Sequence, residues 1–439
     1  MKSNAYMILT LLLASSLAHA MPGVLLKDEV LRSAPQTEAS EVTRLNRNDS
    51  VEIEDRSGGW LLISSGAAKG WVRILSVRGA GNAAPGNNLS RVKSVFLPSG
   101  NEARRVVAVA GLRSLDEAQR YAEQAKAAQH ALDADAVSRA DIIAFAQARQ
   151  LTPRELAYFD PPKQEDSGIV RWLKRRDGDA PIKLKNTTLH TALLLGQPTV
   201  VDQVRIGAHL AGQILQKTPL LKDDALQRYV NLVGGHVSNH VSAQQNENSA
   251  LPWHFAVLES DELFSTSTPG GFVFITRGLY QTLDSEDALA AVLGSEIGQV
   301  VRNHALTHLK AQAQTLSLSP ADNAAGQDSY LADLLGDASQ YLSRKHVAAQ
   351  IYEADRTGLV LATRAGYDPF ALVLLLQNLG QIPADNPKMA LYQRTRPAPA
   401  DRLRQLADSA SPHWDALSAK HQPIPLTPIR LHPTTPKTQ

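Results

Sequence analysis

The chain has 439 residues, no cysteine and a formal net charge of +2. That length allows two or three domains with substantial cores, the missing cysteines exclude disulfides and lipid acylation at a thiol, and the near-neutral charge, with no long basic run, gives no footing for nucleic acid. Hydrophobic residues make up 43% and charged residues 20%, an ordinary globular composition.

The N-terminus reads as an export signal over residues 1–20. Lys2 supplies the positive start, Tyr6 to Ala14 is a short apolar run, and Ala18-His19-Ala20 has the small-x-small form of a cleavage site. The run is too short to span a bilayer, and no other run approaches ~20 apolar residues. The expected product, cut after Ala20, is a periplasmic or otherwise exported chain with no transmembrane segment; the alternative is an uncleaved anchor. Residues 24–78 follow as a small all-β unit. Apolar runs at Ser50–Glu54, Trp60–Ser64 and Trp71–Leu75 alternate with turn residues such as Arg56-Ser57-Gly58-Gly59.

Residues 79–90 are a linker by composition, and 91–198 form a mainly helical connecting region. In it, Ser114 and Glu117 suit a capping box, Thr152-Pro153-Arg154-Glu155 is a helix start with Pro at the first position, and Lys163 to Lys185 is a loop. No catalytic constellation occurs there. From Val200 the pattern changes. Val204–Leu215 and Asp223–Gly234 read as helices, the second stopped by Gly234. Trp253–Leu258 and Phe272–Thr276 read as strands, the latter after a turn at Pro269-Gly270-Gly271.

A helix then starts at Asp284, which can cap it, with Glu286 and Asp287 in its first turn and Leu289, Val292, Leu293, Val300 and Val301 on an apolar stripe. Ala311–Ala325 reads as a loop or frayed end, and Val347–Ala365 and Phe370–Leu379 as further helices. Residues 199–418 form one domain, and 419–439 are a Pro/Thr-rich tail, extended or disordered.

At the centre of the Asp284 helix sits Ser295-Glu296-Ile297-Gly298-Gln299, with positions 295 and 299 on one face. Zinc proteases carry His-Glu-x-x-His in such a place: two imidazoles hold the metal and the Glu activates its water. The surrounding phrases resemble the HtpX/BepA-like family of zinc metallopeptidases, which includes the CAAX prenyl proteases. They are Asp224-Ala225-Leu226-Gln227-Arg228-Tyr229-Val230, Pro252 to Leu258, Pro269 to Leu279, Glu353-Ala354-Asp355-Arg356 and Ala365-Gly366-Tyr367-Asp368-Pro369. The β unit resembles the bacterial SH3-like (SH3b) domain through Leu31 to Pro35, Ser57-Gly58-Gly59-Trp60-Leu61 and Lys69-Gly70-Trp71-Val72. Together they imply a multidomain α+β chain: a small SH3-like barrel, a helical middle, and a mainly helical zincin-like domain with a small sheet.

The resemblance implies site residues position by position. The three zinc ligands fall on Ser295, Gln299 and Ile351, the general base on Glu296 and a supporting carboxylate on Asp355. The family's later Thr-His-Pro reads Thr395-Arg396-Pro397, and its substrate-edge phrase reads Phe264-Ser265-Thr266-Ser267-Thr268. All three ligand types are lost, since zinc wants imidazole, thiolate or carboxylate. Without a metal to lower the pKa of water from ~15.7 to ~7, water activation costs about 12 kcal/mol more.

Glu296 is then a vestigial base, a structural carboxylate paired with a cation, or an acid/base in another reaction. His304 and His308, four apart, are a candidate relocated metal pair, and Glu353 a substitute ligand that leaves on the wrong face. Ser295 as a nucleophile needs a histidine base that the sequence does not place. Asp355 with Arg356 reads as a structural pair. Trp60 and Trp71 are candidate binding residues of the barrel, or core residues.

The reading that follows is a pseudopeptidase: a periplasmic scaffold for extended polypeptide or peptidoglycan, or a partner of an active paralogue, with no cofactor expected. The alternative is an active zinc metalloendopeptidase of periplasmic protein quality control with atypical ligands.

Overall fold

The computed structural model describes residues 21–79, 115–156, 189–195, 198–241, 251–315, 330–331, 333–335, 341–342, 344–407, 412–418 and 421–429. The export signal, the linker beyond Gly79, the Ser114 capping box, the Lys163–Lys185 loop, residues 316–325 and the tail beyond 429 lie outside the described residues. The chain divides into two compact units, Met1–Asn82 and Ala83–Gln439.

The first unit is one antiparallel sheet. Its strands are β1 (Met21–Leu25), β2 (Glu29–Arg32), β3 (Glu41–Leu45), β4 (Ser50–Ser57), β5 (Trp60–Ser65), β6 (Ala68–Arg73) and β7 (Val77–Gly79). Their order is β3-β2-β6-β5-β4-β1-β7. Alternation sends Leu31, Val51, Ile63, Val72 and Val77 into a common core. The unit starts three residues ahead of the expected Val24, because Met21 to Val24 pair with Ile53 to Ser50.

The second unit begins with α1 (Leu115–Asp133), α2 (Arg139–Ala148), α3 (Leu189–Leu195), α4 (Val200–Lys217) and α5 (Asp224–Ser238). Residues 151–156 are not helical, contrary to the start signal at Thr152-Pro153. The Arg154 N–H donates to the Arg364 carbonyl instead, and its guanidinium to that of Tyr367. Gly234 does not stop α5. A Cβ there would come within 2.4 Å of the Phe255 ring, so this glycine lets a strand approach the helix.

That strand is β8 (His254–Leu258), followed by β9 (Ser265–Thr268) and β10 (Phe272–Thr276). The sheet order is β8-β10-β9, with β10 parallel to β8 and antiparallel to β9. The expected turn sits between β9 and β10, where Gly270 and Gly271 take φ of 81° and 92°, open to glycine at little cost. β9 is the edge.

Next come α6 (Arg277–Tyr280), α7 (Glu286–Val301), α8 (His304–Thr315), α9 (Ala348–Arg364), α10 (Ala371–Leu379), α11 (Ala390–Thr395), α12 (Pro399–Ala407) and α13 (Pro412–Ser418). Ser285, not Asp284, caps α7: its hydroxyl accepts the Ala288 N–H at 3.2 Å. Every residue of α7 is buried, so the expected one-sided stripe is a helix enclosed all round. Asn303, at φ 57°, separates α7 from α8, so the stretch to Leu309 is two helices.

The start of the tail is held in place. The Ile424 N–H donates to Asp287 at 3.0 Å, the Glu286 N–H to the Ile424 carbonyl at 2.8 Å, and His421 pairs with Asp287 at 2.7 Å. The open N–H groups and the acidic first turn of α7 are what it docks on. Glu286 itself is enclosed by Arg149, Tyr229 and Tyr367. Burial pushes its carboxyl above the usual carboxylate range, partly offset by bonds from Tyr229 and Arg149.

Candidate functional site

Two helices crossing without side chains between them set the site. A Cβ on Gly298 would lie 2.5 Å from the Ala354 carbonyl, and one on Gly358 would lie 2.3 Å from the Gly294 backbone. This contact presses α7 on α9 and aims the middle of α7 at β9. Glu296 is 2% exposed there. Ser265 Oγ donates to its Oε1 at 2.7 Å and Ser267 Oγ to its Oε2 at 3.1 Å. Arg396 Nη2 closes an ion pair on Oε1 and also donates to the Ser265 carbonyl at 2.8 Å. A buried charge pair survives only when its remaining hydrogen-bonding capacity is used. Here two hydroxyls and a carbonyl supply that. Of the sequence-level alternatives for Glu296, the geometry is that of a carboxylate paired with a cation.

The other positions disperse. Ser295 Oγ is buried with no bond among the described residues. Gln299 Oε1 is 2.8 Å from His304 Nδ1, and His304 Nε2 is 3.0 Å from Glu353. Arg302 also pairs with Glu353, at 3.1 Å. The bond from His304 and the charge of Arg302 hold the Glu353 carboxyl below the usual range. Both ring nitrogens of His304 are thus engaged, which removes the His304–His308 chelate as an option. Ile351 is fully buried. Asp355 takes two bonds of 2.7 Å from Arg402, whose other arm donates to Tyr392 at 2.8 Å. Its partner is therefore Arg402, on α12, rather than the adjacent Arg356.

Tyr341, Arg344 and His346 come to this site unannounced by the sequence. Tyr341 donates to the Ser267 carbonyl at 3.1 Å. The carbonyls of Ser265 and Ser267, alternate residues of the edge strand, are both capped by side chains from elsewhere in the chain. His346 is pushed well below the ordinary histidine range, by burial and then by the neighbouring Arg344 and Arg396. No motif marks these three residues.

The donor set does not fit zinc. It offers a hydroxyl, an amide oxygen already turned to His304, an aliphatic chain, and a carboxylate matched by a guanidinium. Among the described residues no three His, Asp or Glu side chains gather to hold an ion.

Comparison with known proteins gives the frame for this geometry. Residues 227–410 match peptidase family M48. The chain carries an M48 peptidase domain. Residues 30–76 match the bacterial SH3 domain. The M48 match takes in β8 to β10, α7, α9 and Arg396, all the elements that meet at Glu296.

The chain is 26% identical over 239 residues to the β-barrel assembly-enhancing protease of Escherichia coli K12, covering 51% of this chain and 46% of that one. With the same-named protein of Yersinia pestis it shares 29% over 241 residues, 51% of this chain and 48% of the relative. With the mitochondrial metalloendopeptidase OMA1 of Schizosaccharomyces pombe it shares 28% over 172 residues, 36% of this chain and 47% of the relative. The chain spans about half the length of the curated relatives it matches.

In the SH3 domain, Trp60 is 3% exposed with the Arg73 guanidinium 4.7 Å from its ring centre, while Trp71 is half-buried. The pairs Trp60–Arg73 and Leu62–Trp71 put both tryptophans on one face of β5 and β6. Among the described residues no helix is long and apolar enough to cross a membrane.

Proposed function

We propose that the M48 domain of this chain is a pseudopeptidase that grips polypeptide in the bacterial envelope without cleaving it. The observation that carries this is Arg396 on Glu296. A general base needs a free oxygen within reach of a water, and both oxygens of Glu296 are taken by Ser265, Ser267 and Arg396. The guanidinium puts a fixed positive charge beside that carboxylate, and a second cation is repelled there. The relatives named for enhancing β-barrel assembly support an envelope quality-control setting, and the N-terminal pattern ending at Ala20 supports export into it. Zinc is not expected.

Polypeptide is the proposed partner because the relatives are proteases and the scaffold is theirs. Strand addition to β9 is opposed by the capped carbonyls of Ser265 and Ser267, so side-chain chemistry carries the grip. The barrel, with Trp71 half-open and Trp60 beneath Arg73, is the proposed second contact.

Metal analysis of the purified chain, with casein hydrolysis in the presence and absence of chelator, tests the reading. The expected result is substoichiometric zinc and no chelator-sensitive cleavage. One zinc per chain with cleavage that chelator abolishes sinks it and restores the atypical-ligand enzyme.

A further inference from the structure

A small cavity lies where β9, α7 and the Tyr341–His346 stretch meet, lined by Ser267, Glu296, Gln299, Tyr341, Arg344 and His346 among others. The space open to the centre of a water is about 10 Å³, the least that admits one small oxygen-sized guest. Around it the charges do not cancel. Glu296 is answered by Arg396, and Glu353 by Arg302 and His304.

Arg344 has no such answer: among the described residues no carboxylate lies within ion-pair distance of it. Its guanidinium stacks 3.8 Å from the Tyr341 ring centre and gives one N–H to the Tyr341 carbonyl at 3.2 Å. That leaves most of its five donors unspent. Gln299 adds two more. Its Oε1 faces His304, and its N–H2 group has no bond among the described residues. Burial first, and then the charge of Arg344, lowers the proton affinity of His346 and of His308.

We propose that this cavity receives one oxygen of a carboxylate, held between the Arg344 guanidinium and the Gln299 amide, and that a bound polypeptide presents it from its C-terminus or an acidic side chain. A charged guest matches the unspent cation, and amide and guanidinium donors suit a carboxylate oxygen. The inference rests on the polypeptide-binding reading for the source of the carboxylate, and on this cavity alone for its chemistry. The site thus has the opposite charge preference to a metal centre.

Calorimetric titration of the full mature chain with acetate, against the neutral isostere acetamide, tests the chemistry. Acetate is expected to bind saturably and acetamide not at all. Arg344→Gln is expected to weaken acetate about tenfold or more, and Arg344→Lys to retain part of the binding. Thermal unfolding of both variants without acetate shows whether they fold.

Absence of saturable acetate binding overturns the inference, as does an Arg344→Gln chain, shown to be folded, with undiminished binding. Decapeptides of serine and leucine, with a free or amidated C-terminus and with or without a central glutamate, identify the source. Dependence on the free terminus or on the glutamate supports the inference and says which it is. Equal binding of the amidated, glutamate-free peptide overturns the inference and keeps polypeptide binding. Acetate binding without any peptide binding keeps the cavity chemistry and overturns the polypeptide reading.

Discussion

Removing Arg396 isolates the central claim. In Arg396→Ala, Glu296 stays buried with only the Ser265 and Ser267 hydroxyls for company, and the Ser265 carbonyl loses its donor. Breaking a buried pair from one side costs about 3–5 kcal/mol. For a domain of this size that lowers the unfolding midpoint by roughly 6–20 °C. Glu296→Gln orphans the guanidinium and is expected to cost a similar amount. Arg396→Met with Glu296→Gln removes both charges and is expected to return to within about 2 kcal/mol of the parent. Urea unfolding of these chains together with Arg396→Met alone closes the cycle. Strictly additive losses, or an Arg396→Ala loss below about 1 kcal/mol, would refute the argument that this pair has taken over the site.

Three further outcomes follow from the same geometry. Ser295→His, Gln299→His and Ile351→Glu together are expected to bind zinc poorly, and to gain about tenfold or more in affinity when Arg396→His is added, because the fixed positive charge of the guanidinium then no longer repels the ion; zinc titration reads this. Gly358→Ala places a carbon 2.3 Å from the Gly294 backbone and is expected to cost about 1–3 kcal/mol in urea unfolding, through separation of α7 and α9.

His240 is lowered to about 4 from 6.5, by burial first and then by His236 and Arg364. The folded chain therefore holds it neutral while the unfolded chain binds the proton. Its contribution is present above pH 6.5 and is lost as pH falls toward 4, by about 3 kcal/mol at most. In His240→Asn, unfolding measured across that window should show a shallower loss.

Much of the fold was legible because glycine, capping and periodicity act locally. Phe272–Thr276 is the strand that its run of apolar residues predicted, and α5 begins where the Asp223–Gly234 helix was expected to begin. Boundaries failed where a distant partner decided. Residues 151–156 answer to Arg364 rather than to the Thr152-Pro153 signal. Gly234 answers to Phe255. The tail after Gln422 is Pro/Thr-rich, yet Asp287 and Glu286 hold its first residues.

At the site, Glu296 and Arg396 could each be named from their phrases, but their contact could not, since one hundred residues separate them. Asp355 was paired with its sequence neighbour for want of the crossing that brings α12 to α9. Arg344 and His346 had no motif to announce them, and their importance comes only from what surrounds them.

An unpaired strand border is an invitation to any passing backbone, including that of a second copy of the same chain. Arg396 and Tyr341 withdraw that invitation at β9 by occupying the Ser265 and Ser267 carbonyls. That border of the three-stranded sheet is thereby closed to the addition of a further strand, whether from a partner or from a second copy.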